Sequence, residues 1–153
     1  MKFKFLFSLF LGSALAMSAQ GYKDGIEYYK ADQLENAKTI LTRTLNDAST
    51  DKSEANYYLG AIALNQGDKV AAESYFNAGI AANPANAFNY VGKGELALKA
   101  GNEKAADDFF KKARDYGKKD AELLTEIARA YYNADPVKYA EDITKSIERA
   151  KKA

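Results

Sequence analysis

The side chains available for chemistry in this sequence are carboxylates, lysines, arginines, tyrosines and the hydroxyls of serine and threonine; histidine and cysteine are absent. Their absence removes the usual general base, the thiol nucleophile and the soft metal ligands. No G-x-S-x-G elbow, Gly-rich phosphate loop or metal-ligand spacing occurs along the chain. Adjacent carboxylates do occur, as Asp107-Asp108 and Glu141-Asp142. They fall on polar helix faces, where water solvates them. The chain is therefore expected to be no enzyme and to need neither cofactor nor metal.

Binding chemistry is better represented. Tyrosine occurs 11 times, partly as the doublets Tyr28-Tyr29, Tyr57-Tyr58 and Tyr131-Tyr132. Neighbouring residues on a helix point about 100° apart, so a doublet serves a core with one ring and a surface with the other. Exposed tyrosines give large contact area with few rotors to freeze, plus a hydroxyl. Tyr28, Tyr75, Tyr131 and Tyr139 are expected to pack inward, and Tyr29, Tyr57 and Tyr58 to serve a binding surface. The basic clusters are Lys111-Lys112-Ala113-Arg114, Lys118-Lys119 and Arg149-Ala150-Lys151-Lys152. Each lies near the end of a predicted helix, where cations complement the macrodipole. Polyanion binding needs a concentrated basic face, so nucleic acid is not an expected partner.

The first residues read as a leader. MKFK supplies two lysines, FLFSLFLGSALAM an apolar run, and Ser18-Ala19 small residues suited to cleavage after either one. The apolar run is shorter than the roughly 20 residues that a spanning helix needs. A signal peptide over 1–19 is expected, with an exported bacterial protein, periplasmic or secreted, as the consequence. After its removal no membrane segment is expected. Of 22 basic residues, loss of Lys2 and Lys4 leaves 20 against 21 acidic ones, a nearly neutral mature chain. Without cysteine it must be stabilised by packing alone.

The elements that position these residues repeat. Gly25, Gly60, Gly94 and Ala128 stand 35, 34 and 34 residues apart, and Ala37, Ala72, Ala106 and Ala140 keep the same intervals. Between them Asp32, Gly67, Gly101 and Asp135 occupy a turn position, and Leu41, Phe76 and Phe110 fill a large apolar slot that breaks at Thr144. Each copy reads as two helices. In the second copy the first helix places Ala55, Leu59, Ile62 and Ala63 at three-to-four spacing and stops at Gly67. Asp68 caps the next helix, which turns Val70, Ala71, Tyr75, Phe76, Gly79 and Ile80 inward and ends before Pro84. Gly60 and Ala72 mark the closest approach of two helix backbones. The last helix is expected from about Pro136 to Ala150, burying Val137, Ala140, Ile143 and Ile147.

A 34-residue helix–turn–helix with Leu59-Gly60, Ala72, Phe76 and Pro84 at these offsets resembles a tetratricopeptide repeat. The resemblance covers about 20–153, as repeats of about 20–52, 53–86, 87–120 and 121–153. The motif's first-helix tryptophan is replaced by Gly21, Asn56, Tyr90 and Leu124. The resemblance implies an all-α, right-handed α-solenoid of about four helix–turn–helix repeats, whose first helices line a concave groove. The groove positions so implied are Tyr22, Lys23, Ile26, Tyr29 and Lys30 in repeat 1, and Glu54, Tyr57, Tyr58, Ala61, Leu64 and Asn65 in repeat 2. Repeat 3 adds Phe88, Val91, Gly92, Glu95, Leu98 and Lys99, and repeat 4 adds Glu122, Thr125, Glu126, Arg129, Tyr132 and Asn133. The family's basic clamp for chaperone carboxylates is missing, because its slots hold Tyr22, Ile26, Tyr58, Phe88 and Gly92.

The expected function is a non-catalytic scaffold of the bacterial cell envelope that holds a peptide or protein segment, with apolar side chains suiting the aromatic groove. Carbohydrate binding through the tyrosines and an oligomeric structural role are the alternatives. The chain is also read as a candidate N-terminal portion of a longer array.

Overall fold

The computed structural model describes the backbone from residue 11 onward and the side chains from residue 21 onward. The leader expected over 1–19 and its cleavage point lie outside the residues whose side chains are described. All elements among the described residues are helices: α1 (Leu11–Lys30), α2 (Leu34–Thr44), α3 (Lys52–Asn65), α4 (Lys69–Ala82), α5 (Ala87–Lys99), α6 (Glu103–Tyr116), α7 (Ala121–Ala134) and α8 (Ala140–Ala150). They form two compact units, the first ending at Asp51 and the second running Lys52–Ala153.

The first unit is the hairpin of α1 and α2. Its turn is made by Asp32 at φ +58°, a left-handed conformation that an aspartate tolerates better than most residues. Ala37 and Leu41 are fully buried. A Cβ on Gly25 would stand 2.8 Å from Leu41 Cγ, so the glycine sets how closely the two helices approach.

The second unit is three hairpins, α3–α4, α5–α6 and α7–α8. Gly67 and Gly101 turn the first two at φ +80° and +75°, the region open to glycine. Asp68, Asn102 and Asp120 cap α4, α6 and α7 through their side chains, Asp68 accepting from the Ala71 N–H at 2.9 Å. The expected stripe Ala55, Leu59, Ile62 and Ala63 is buried. Val70 departs from expectation and is 79% exposed. It sits in the first turn of α4.

Phe76 joins three helices. A Cβ on Gly60 of α3 would stand 2.5 Å from Phe76 Cε1, and one on Gly92 of α5 would stand closer still. In the next repeat the position matching Gly92 is Glu126, and Phe110 repeats the within-hairpin half of the arrangement, against Gly94. A buried polar tie fixes the register beside it: Ser53 Oγ donates to Gly79 O at 2.7 Å, and Asn89 Nδ2 donates to Ser53 O at 3.1 Å. α3 packs on α5, and α5 on α7, in one row. The second helices α4, α6 and α8 do not pack on each other. The row of first helices is therefore the inner side of the second unit.

The last hairpin differs. Asp135 is extended rather than left-handed, and its carboxylate accepts from the Val137 and Lys138 N–H groups at 3.0 and 2.9 Å. That turn holds 136–139 out of the helix, so α8 starts at Ala140, later than its sequence pattern suggests. Its inward stripe is Tyr139, Ile143 and Ser146, not Val137, Ala140 and Ile147. Val137 is 86% exposed.

Replacing Gly60 or Gly92 by alanine is expected to destabilise the protein by about 1–3 kcal/mol through overpacking against Phe76. Gly67→Ala meets open space and bears only the left-handed backbone penalty of about 1–2 kcal/mol. Combining Gly60→Ala with Phe76→Leu should recover part of the Gly60→Ala loss, whereas Gly67→Ala with Phe76→Leu should simply add. Urea unfolding followed by circular dichroism measures all of these.

Candidate functional site

Most of the aromatic groove positions are built into the core. Tyr57, Leu64 and Val91 are 5%, 6% and 2% exposed, Tyr58 is also buried, and Phe88 is half-buried. The reason is ring packing: Tyr57 lies 5.0 Å from the Tyr58 centroid, 5.4 Å from Phe88 and 6.4 Å from Phe76. In the first unit Tyr22 and Ile26 are buried, Tyr29 is half-buried and Lys30 is exposed. The expected division of labour within doublets holds for Tyr131, which is buried, and Tyr132, which is 60% exposed. It fails for Tyr28, which faces solvent more than Tyr29 does. The open tyrosine-lined groove is therefore corrected to a packed aromatic layer.

Above that layer the inner row presents ions. The Tyr57 hydroxyl donates to Glu126 Oε2 at 2.8 Å, joining α3 to α7 across α5. Arg129 donates to the same oxygen through Nε at 2.9 Å and pairs with it through Nη2, which also donates to the Tyr57 hydroxyl at 3.3 Å. Glu126 is thus fixed by a phenol and a guanidinium, and Arg129 is largely neutralised by it. Beside them Glu95 accepts from Asn133 Nδ2 at 3.1 Å and stands 3.9 Å from Lys99 Nζ, with 14% of its side chain exposed. Lys99 Nζ itself donates to the Asn133 carbonyl at 3.0 Å.

The electrostatics follow from this crowding. Burial raises the Glu95 carboxyl above its ordinary range, and the Asn133 hydrogen bond and the charges of Lys99 and Arg129 only partly offset it. Burial also raises Glu54, and the Glu122 carboxylate adds to the shift. The row from α3 to α7 therefore holds Glu54, Glu95, Glu122 and Glu126 against Lys99 and Arg129, with Asn65 and Tyr132 at its exposed edge. It offers carboxylate acceptors in surplus. The repeat positions implied Glu54, Glu95, Lys99, Glu126, Arg129 and Asn133 on this side as well as the tyrosines; what they did not show is that the rings would be packed away and the ionic groups left. The 34-residue step carried a signal for Glu126, because Tyr58, Gly92 and Glu126 share one column of the repeat and Glu126 is its charged member.

No protein-family model and no curated protein matches the chain. Solved structures do resemble it. A crystal structure of MamA aligns with TM-score 0.58 at 20% identity, covering 88% of this chain and 77% of that one. A second crystal structure of MamA protein aligns with TM-score 0.58 at 20% identity, covering 92% and 74%. At that identity the likeness establishes the fold alone, an all-α array of helical hairpins.

Two measurements probe the row. Tyr57→Phe keeps the ring packing but removes a hydrogen bond to a carboxylate, and should lower stability by about 1–2 kcal/mol in urea unfolding. Glu95→Gln should raise stability at neutral pH. A carboxyl whose pKa is raised by folding contributes its stability when protonated, and loses it as pH rises through the folded-state value. The advantage of Glu95→Gln over the native protein should therefore shrink as pH falls through the raised folded-state value towards the ordinary carboxylate range, and change little below it.

Proposed function

We propose that this chain is a non-catalytic tetratricopeptide-type scaffold, exported to the bacterial cell envelope, that holds a peptide or protein segment against the α3–α5–α7 row. Export rests on the leader pattern of the first 19 residues, in a sequence that carries no cysteine for lipid attachment. The observation that carries the binding reading is the surplus of carboxylates on the inner row. Glu54 and Glu95 are held above their ordinary pKa by their surroundings, so a cation brought to them relieves an existing strain on the charged form.

This chemistry favours a segment carrying lysine or arginine with polar neighbours, in place of the apolar peptide that the tyrosines suggest. Tyr132, at 60% exposed, gives such a segment one flat aromatic contact at the edge of the row. Contacts between charges at a rim are worth up to about 1 kcal/mol each and are screened within a Debye length of about 8 Å at physiological salt.

Fluorescence anisotropy with a lysine-bearing and a glutamate-bearing peptide of matched length tests the reading. The lysine peptide should bind more tightly, and Glu95→Gln with Glu122→Gln should weaken it about fivefold to tenfold. Equal binding of both peptides, or binding indifferent to the double substitution, would refute the assignment of the row.

A further inference from the structure

The sequence assigns each basic cluster separately to a helix end; the tertiary structure brings them together. Arg114 in the last turn of α6, Lys118 and Lys119 in the following loop, Arg149 in the last turn of α8 and Lys152 beyond it line one cleft of about 450 Å³. The cleft exists because α6 and α8 do not pack on each other, which leaves a gap floored by Leu124 of α7. Among the described residues Asp115 supplies the one carboxylate side chain in its lining.

These cations differ from many others on the surface. Lys93, Lys104, Lys138 and Lys145 each sit within 4.0 Å of a carboxylate, at Glu73, Asp108, Glu103 and Glu141. Among the described residues none of the five cleft cations has such a pair. Arg114 is half-buried, and burial followed by the neighbouring Arg149 guanidinium works against its charge, more than Asp107 and Asp115 favour it. Complementing two helix dipoles takes a cation in each last turn, which Arg114 and Arg149 supply. It does not require three further lysines, nor two guanidiniums close enough to repel.

We propose that this cleft binds a multiply charged oxyanion of the phosphate type, with Arg114 and Arg149 as its principal ligands and Lys118, Lys119 and Lys152 around them. Guanidinium groups present paired N–H donors that match phosphate oxygens, and ammonium groups add charge without demanding one geometry. Such an anion replaces the missing carboxylates and removes the Arg114–Arg149 repulsion. A free phosphate compound and a phospholipid headgroup share this chemistry.

The full chain is titrated with pyrophosphate at constant ionic strength by calorimetry, and in parallel sedimented with vesicles of phosphatidylcholine alone or mixed with phosphatidylglycerol. Saturable one-site binding is expected, with a rise in thermal midpoint at saturation. Arg114→Gln with Arg149→Gln should weaken binding at least tenfold. Lys52→Gln with Lys111→Gln, which removes the same charge outside the cleft, should leave it unchanged. The ligand-free arginine variant should melt no lower than the native protein, because it loses a repulsion and no ion pair; a structural role would lower it. Binding to pyrophosphate alone assigns a soluble ligand, and binding to the anionic vesicles alone assigns a headgroup. No saturable binding to either, or equal weakening by the control variant, would overturn the proposal.

Discussion

Phe76 is wedged where α3, α4 and α5 meet, and the second unit is organised around the room made for its ring. Gly60 and Gly92 give up their side chains so that two helix backbones close on one aromatic edge. The exchange is favourable because a buried ring removes far more apolar surface from water than two methyl groups would. It also acts in two directions at once. Through Gly60 the ring closes a hairpin, and through Gly92 it joins that hairpin to the next, so the same contact supplies both the repeat and the interface terms of a stacked array.

The consequence for binding is indirect. Tyr57, Tyr58 and Phe88 continue the aromatic layer from Phe76 and are drawn into it, leaving little of their ring surface open. What remains on the inner side are the ends of longer polar side chains. The Tyr57 hydroxyl shows the transition: its ring belongs to the packed layer, and its oxygen belongs to the Glu126–Arg129 pair. The site chemistry is therefore ionic because the core took the aromatics.

The fourth hairpin shows what happens when the wedge is missing. Ala128 replaces the glycine and Thr144 the ring, so nothing draws α8 into the register that Phe76 and Phe110 impose. The turn at Asp135 changes conformation, α8 starts late, and Tyr139 packs on Tyr131 with centroids 5.5 Å apart. The basic cleft opens beside this altered hairpin, between two second helices that stand apart.

The sequence by itself determined the helices, their pairing and most of their turns. Gly67, Gly101 and Asp68 act through local backbone geometry, and the three-to-four spacing of Ala55, Leu59 and Ile62 is a property of one helix. Such features need no knowledge of distant residues. Tertiary structure alone decided which tyrosines face water, because each ring's exposure depends on helices a full repeat away. It alone set Glu126 beneath the Tyr57 hydroxyl, 69 positions apart in the chain. It also gathered Arg114 and Arg149 into one cleft, since charges placed at two helix ends meet only when packing fixes where those ends lie.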